Sequence, residues 1–171
     1  MNINELYIYF LECEDISTDS RSVKKNSLFF ALKGDNFDGN KYALEALNKG
    51  AKYAIIDDSN LKNPNFIKVQ NVLNSLQELS TFHRIQLSKT KIIALTGSNG
   101  KTTTKELIRE VLSQKYSVLA TDGNLNNHIG VPLTLLKLKK HHQLAIIEMG
   151  ANHLKEIELL CNIALPNWGY I

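Results

Sequence analysis

The residues best equipped for chemistry lie together in KIIALTGSNGKTTT, residues 91–104. An apolar run at 92–95 reads as a buried strand, and Leu107, Ile108, Val111 and Leu112 recur at helical spacing, so the segment between them is a strand-to-helix turn. Gly97 and Gly100 allow backbone geometry there that a side chain would block. In such a turn the loop N–H groups and the positive end of the helix dipole converge on one spot, which attracts phosphate. Lys101 adds a mobile positive charge, and the Thr102 hydroxyl can ligate a Mg²⁺ that bridges phosphates. The pattern G-x-x-x-x-G-K-[ST] asks for glycine where this chain has Leu95, so the loop is a variant. A chance Gly-Lys-Thr in a tight turn is the rival reading, and the flanking strand and helix weigh against it. The chemistry is that of a nucleoside triphosphate site.

Four further stretches carry groups that can touch a ligand. The polar segment 16–21 holds Thr18, Ser20 and Arg21, which suit a phosphate or a base edge, or equally an Asx-type turn. In the glycine-bracketed segment 33–39, Asp35 and Asn36 precede a single aromatic, Phe37, whose ring either stacks on a base or plugs the loop onto the core. The long loop 121–132 carries Asn126, Asn127 and His128. Asparagine suits turns, but a loop at the carboxyl edge of a parallel sheet also reaches substrate. Glu148 closes the apolar run 144–147, where a carboxylate in a phosphate-loop fold stands as a metal ligand; the competing account is a helix N-terminal acid.

Periodicity supplies the elements that would position these groups. Helices are expected over 3–13, 42–49, 72–87, 132–138 and 154–164, and from 101 onward. Strands are expected over 27–32, 53–56, 66–69, 92–95, 117–120 and 144–147, with another starting at 166. This alternation is α/β. It predicts a small N-terminal α/β domain over 1–88, a boundary at 88–90, and the start of a parallel-sheet phosphate-loop ATPase domain over 89–171.

Composition narrows the class. With 171 residues, 43% of them hydrophobic, the chain is an ordinary globular protein of one large or two small domains. A net charge of +3 on scattered lysines argues against a nucleic-acid surface. The apolar runs are too short to span a membrane, and the first residues lack a signal peptide's basic start and cleavage site, so a cytoplasmic protein is expected. Cys13 and Cys161 have no metal-ligand spacing and read as reduced core residues.

Taken together, residues 17–21, Asp38-Gly39, the loop 96–103, the asparagine loop 123–132 and the segment 148–153 resemble the Mur ligase family, in which Leu95 is an ordinary feature of the loop. The resemblance implies ATP phosphates on Gly97, Ser98, Asn99, Gly100, Lys101, Thr102 and Thr103, with Lys101 and Glu148 catalytic and Mg²⁺ on Thr102 and Glu148. It implies the UDP end of a precursor near Thr18, Ser20, Arg21, Asp35, Asn36 and Phe37, with Asn126 and Asn127 on the substrate side. Among family members, the asparagine loop and 148–153 are most similar to the one that joins D-alanyl-D-alanine to UDP-N-acetylmuramoyl-tripeptide through an acyl phosphate, a step of peptidoglycan synthesis. The member that adds the third peptide residue, a UDP-sugar-binding module without catalysis and a kinase on the same loop are the alternatives. The family's enzymes have three domains and are expected to be monomers. This chain matches the first domain and the opening half of the second, and is expected to be a truncated fragment without the C-terminal Rossmann-like domain, inactive alone, with an exposed sheet edge.

Overall fold

The computed structural model describes residues 1–171, which form two compact units, Met1–Leu79 and Ser80–Ile171. In the first, helix α1 (Ile3–Leu11) is started by a reciprocal pair: the Asn2 side chain accepts from the Glu5 N–H while the Glu5 carboxylate accepts from the Asn2 N–H. Strands β1 (Asp15–Ser17), β2 (Ser27–Phe30), β3 (Lys33–Gly34) and β4 (Phe37–Asp38) follow. Helix α2 (Ala43–Asn48) then leads to β5 (Ala51–Ile56) and β6 (Phe66–Lys68). The main sheet is parallel in the order β1-β2-β5-β6. Burial of all four β2 residues reflects a central strand covered on both faces. Phe29, Ala43, Ala46, Ala54 and Ile56 form its core.

The segment expected to be a loop at 33–39 is instead a short antiparallel pair, β3 on β4. The pair forms because the Asp38 side chain caps a 3-10 turn at Gly39–Tyr42 and the Gly39 N–H donates to Leu32 O at 2.8 Å. Gly39 must be glycine: a Cβ there would meet Leu32 O at 2.5 Å.

Helix α3 (Val72–Gln86) runs across the division between the units. The second unit continues with β7 (Lys91–Leu95), α4 (Lys101–Ser113), β8 (Val118–Ala120), α5 (Gly130–Leu136), β9 (Leu144–Glu148), α6 (Glu156–Ala164) and β10 (Trp168–Tyr170). Its sheet is also parallel, in the order β10-β7-β9-β8. Ile92, Ala145 and Ile147 from the central strands pack with Val131, Leu135 and Leu160 from the helices. Helix α5 begins two residues earlier than expected because Asn127 Oδ1 accepts from both the Ile129 and Gly130 N–H groups; Pro132 still fits, since the first turn needs no N–H from it. Helix α6 begins two residues later, after Lys155 adopts left-handed backbone geometry at φ 70°. In α4, Leu107 and Val111 are exposed, and so are Trp168 and Tyr170 on the edge strand β10. No helix is long and apolar enough to cross a membrane. Both cysteines are free and half-buried, with Cys161 packed against the core of the second unit; burial pushes the Cys13 thiol up to about 11.

Candidate functional site

The loop 96–103 is shaped by two glycines and one threonine. Gly97 (φ 144°) and Gly100 (φ 74°) take positive φ, where a side chain is strained. Thr96 ties the loop to its neighbours on both sides: its N–H donates to Tyr170 O at 3.0 Å and its hydroxyl to Met149 O at 2.9 Å. Gly100 caps α4 without a side-chain bond, so the first-turn N–H groups of this helix face the loop uncovered. The Lys101 ammonium folds back over the loop, donating to Gly97 O at 2.6 Å. Ser98, Asn99, Thr102 and Thr103 are exposed.

Glu148 is the last residue of β9, beside Leu95 of β7, and is 1% exposed; it is therefore a strand-end acid, not a helix N-terminal one. Its N–H donates to Thr121 Oγ1 at 2.9 Å. Its Oε1 accepts from Asn126 Nδ2 at 2.9 Å and from the Thr102 hydroxyl at 3.3 Å. Its Oε2 has no hydrogen-bond partner. Such a buried charge needs compensation. That comes from Lys105, wholly buried on α4, whose ammonium lies 3.8 Å from Glu148 Oε2, 3.0 Å from Glu106 Oε1 and 2.6 Å from Thr121 O. Glu148 Oε1 and the Thr102 hydroxyl, 3.3 Å apart, are hard oxygen donors suited to a small hard cation. No group of three or more His, Cys, Asp or Glu side chains is assembled, so other ligands would be water and phosphate oxygens, the pattern Mg²⁺ favours.

The asparagine loop closes the opposite side. Asn126 is fixed by the Gly150 N–H, which donates to its carbonyl at 2.7 Å. A Cβ on Gly150 would press the Asn126 amide at 3.1 Å. Asn127, expected to reach substrate, spends its Oδ1 on capping α5. Lys101, Asn126, Asn127, His128, Asn152 and Glu156 line a cleft of about 400 Å³. Glu156 accepts from the Asn152 and His153 N–H groups, which hold its carboxyl below the usual range.

In the first unit, Thr18, Ser20, Arg21 and Phe37 line a separate hollow of about 380 Å³ with Tyr42 and Glu45. Asp35 and Asn36 do not line it; they are exposed on the turn between β3 and β4. Phe37 neither plugs the core nor stands alone: it is 50% exposed and stacks on Tyr42, centroids 5.4 Å apart at 9°. Arg21 forks onto Asp19 through Nε at 2.9 Å and Nη2 at 2.7 Å, and its guanidinium holds the Asp19 carboxyl at about 2.

Residues 12–91 match the family model described as Mur ligase family, catalytic domain, and residues 95–171 match the Mur ligase middle domain. The chain belongs to the Mur ligase family. It is 40% identical over 163 residues to the UDP-N-acetylmuramoyl-tripeptide–D-alanyl-D-alanine ligase of Haemophilus influenzae, covering 92% of this chain and 35% of that one. Among solved structures, the Acinetobacter baumannii UDP-N-acetylmuramoylalanyl-D-glutamyl-2,6-diaminopimelate–D-alanyl-D-alanyl ligase superposes with a TM-score of 0.86 at 39% identity, over 92% of this chain and 35% of that one. The MurF ligase of Thermotoga maritima in complex with ADP gives 0.81 at 32% identity, over 92% and 36%. The chain thus spans about a third of the length of these relatives.

Within this Mur ligase chain, Lys105 and Thr121 went unnoticed in the sequence. The signal for Lys105 was available: one turn beyond Lys101, it is a charged residue on the side of α4 that turns toward the sheet. Thr121 had none, because its role depends on β9 lying next to it.

Proposed function

We propose that the chain contributes the precursor-binding and phosphate-binding parts of an ATP-dependent peptide ligase that joins D-alanyl-D-alanine to UDP-N-acetylmuramoyl-tripeptide in the cytoplasm. In this reading the hollow at Thr18, Ser20, Arg21 and Phe37 receives the uridine diphosphate, and residues 1–88 and 89–171 are the two working domains. The loop from Gly97 to Thr103 holds the ATP phosphates. Thr102 and Glu148 would hold Mg²⁺, which supplies charge neutralisation at the phosphates when bound.

The observation that carries the reading is the convergence of Lys101, Thr102, Asn126 and Glu148 at the carboxyl ends of β7 and β9, in a chain about 40% identical to ligases of that name. Chemically, Lys101 and the α4 N-terminus stabilise charge on the transferring phosphoryl group, while Asn126 keeps the Glu148 carboxylate aimed at Thr102. The tripeptide carboxylate attacks the terminal phosphorus and ADP leaves. The acyl phosphate then accepts the dipeptide amine and releases phosphate. Positioning supplies most of such a rate.

Calorimetric titration of the chain with UDP-N-acetylmuramoyl-tripeptide and, separately, with ADP and Mg²⁺ tests the assignment. Both should bind, with Lys101→Met abolishing only the ADP heat. Absence of either heat at millimolar ligand would sink the corresponding half of the proposal.

A further inference from the structure

We infer that Lys105 is a positioning residue that denies Glu148 to a bare divalent cation, so that the metal enters only together with a polyphosphate. The inference rests on the phosphate-and-metal reading above. An ammonium placed merely as counter-ion would close onto the carboxylate it neutralises, and this one does not. Its short contact, 2.6 Å, is to Thr121 O, and it stops 3.8 Å from Glu148 Oε2, which is left without a hydrogen bond although Glu148 is 1% exposed.

Neither partner is free to move toward the other. Lys105 is tied to the carbonyl of Thr121, the same residue whose hydroxyl accepts the Glu148 N–H, and the carboxylate is held from its far side by Asn126 and Thr102. The carboxylate therefore keeps one buried, unbonded oxygen with a fixed positive charge beside it. A dication shared by Glu148 and Thr102 would share one carboxylate with that charge, the metal on the Oε1 side and the ammonium on the Oε2 side, and repulsion across it is worth about tenfold in affinity. The negative charges of a polyphosphate seated on the loop outweigh one ammonium, so the metal binds there despite it. Glu106 Oε1, at 3.0 Å from Lys105 Nζ and at the surface, draws off part of the charge without cancelling it.

The test uses Mn²⁺ as probe, its free concentration read by electron paramagnetic resonance, on the full chain with and without ADP and against ADP alone, whose own chelation of the metal is subtracted. The unmodified chain should bind Mn²⁺ at millimolar strength or weaker without ADP and at least about tenfold tighter with it. Lys105→Gln, which keeps a donor for Thr121 O, and Lys105→Met should each tighten ADP-free binding about tenfold. Glu148→Gln should abolish the signal, which locates it. Variants that stay folded by circular dichroism yet bind ADP-free Mn²⁺ no tighter overturn the inference alone. Should both variants unfold, the unmodified chain decides: micromolar ADP-free binding lost in Glu148→Gln overturns it, and ADP-free binding no stronger than millimolar supports it. Failure of Mn²⁺ to bind even with ADP overturns the phosphate-and-metal reading itself, and the inference with it.

Discussion

Gly130→Ala sets two effects of opposite sign against each other. Gly130 opens α5 and has no positive φ, so alanine is conformationally acceptable there, and intrinsic helix preference would stabilise the chain by up to about 1 kcal/mol. Space forbids it: a Cβ would lie 2.4 Å from both Cα and C of Leu125, backbone atoms that no rotamer change can clear. The 122–127 turn must then shift by roughly an ångström, an overpacking strain of about 2–3 kcal/mol. Sterics should win, leaving a net loss near 2 kcal/mol and lowering the Tm of a unit this size by roughly 8–16 °C. The displaced turn carries Asn126, so the 2.9 Å bond to Glu148 Oε1 should fail in the same variant, and ADP·Mg²⁺ affinity should fall with stability. Differential scanning calorimetry with and without ADP measures both. Gly169→Ala, where a Cβ meets nothing within 4 Å, is the control and should stay within about 0.5 kcal/mol of the parent. A Gly130→Ala Tm equal to or above the parent's would refute the close-approach argument.

Arg21→Ala should weaken UDP binding at least about fivefold by calorimetry, since one exposed guanidinium facing a diphosphate is worth about 1 kcal/mol or more; an unchanged affinity would make the Arg21–Asp19 fork purely structural. Asn126→Ala should leave the fold intact but cost about 1 kcal/mol through the lost bond to Glu148, read by urea titration. His83 is buried with Nε2 3.0 Å from Leu138 O, and burial holds its imidazole below the ordinary histidine value of 6.5. The unfolded chain therefore takes up its proton first as pH falls, so this contribution to stability is complete above pH 6.5 and is lost as pH drops toward the lower folded value. His83→Gln should flatten that part of a stability–pH profile, and an unchanged slope between pH 7 and 5 would show that His83 does not set it.

What could be read in the sequence was local. The strand-turn-helix around Gly97 and Gly100 was legible because backbone dihedral limits and hydrophobic period act within a few residues, and the same period placed Glu148 at the end of an apolar run. The alternation of strands and helices was enough to predict two α/β units, with a parallel sheet in the second. Boundaries slipped by two residues at α5 and α6, where a cap from Asn127 and a left-handed Lys155 override periodicity. Tertiary structure alone decided the electrostatics of the site. Lys105 and Glu148 meet only because α4 packs on β8 and β9, and the same packing brings in Thr121 and Asn126 from another loop. Likewise, the helical spacing of Leu107 and Val111 announced an apolar stripe but left both exposed, and Phe37 found Tyr42 instead of the core. Periodicity tells which residues share a face. What that face meets is settled by segments far away in the chain, and in this protein those meetings place the one buried lysine beside the one buried acid.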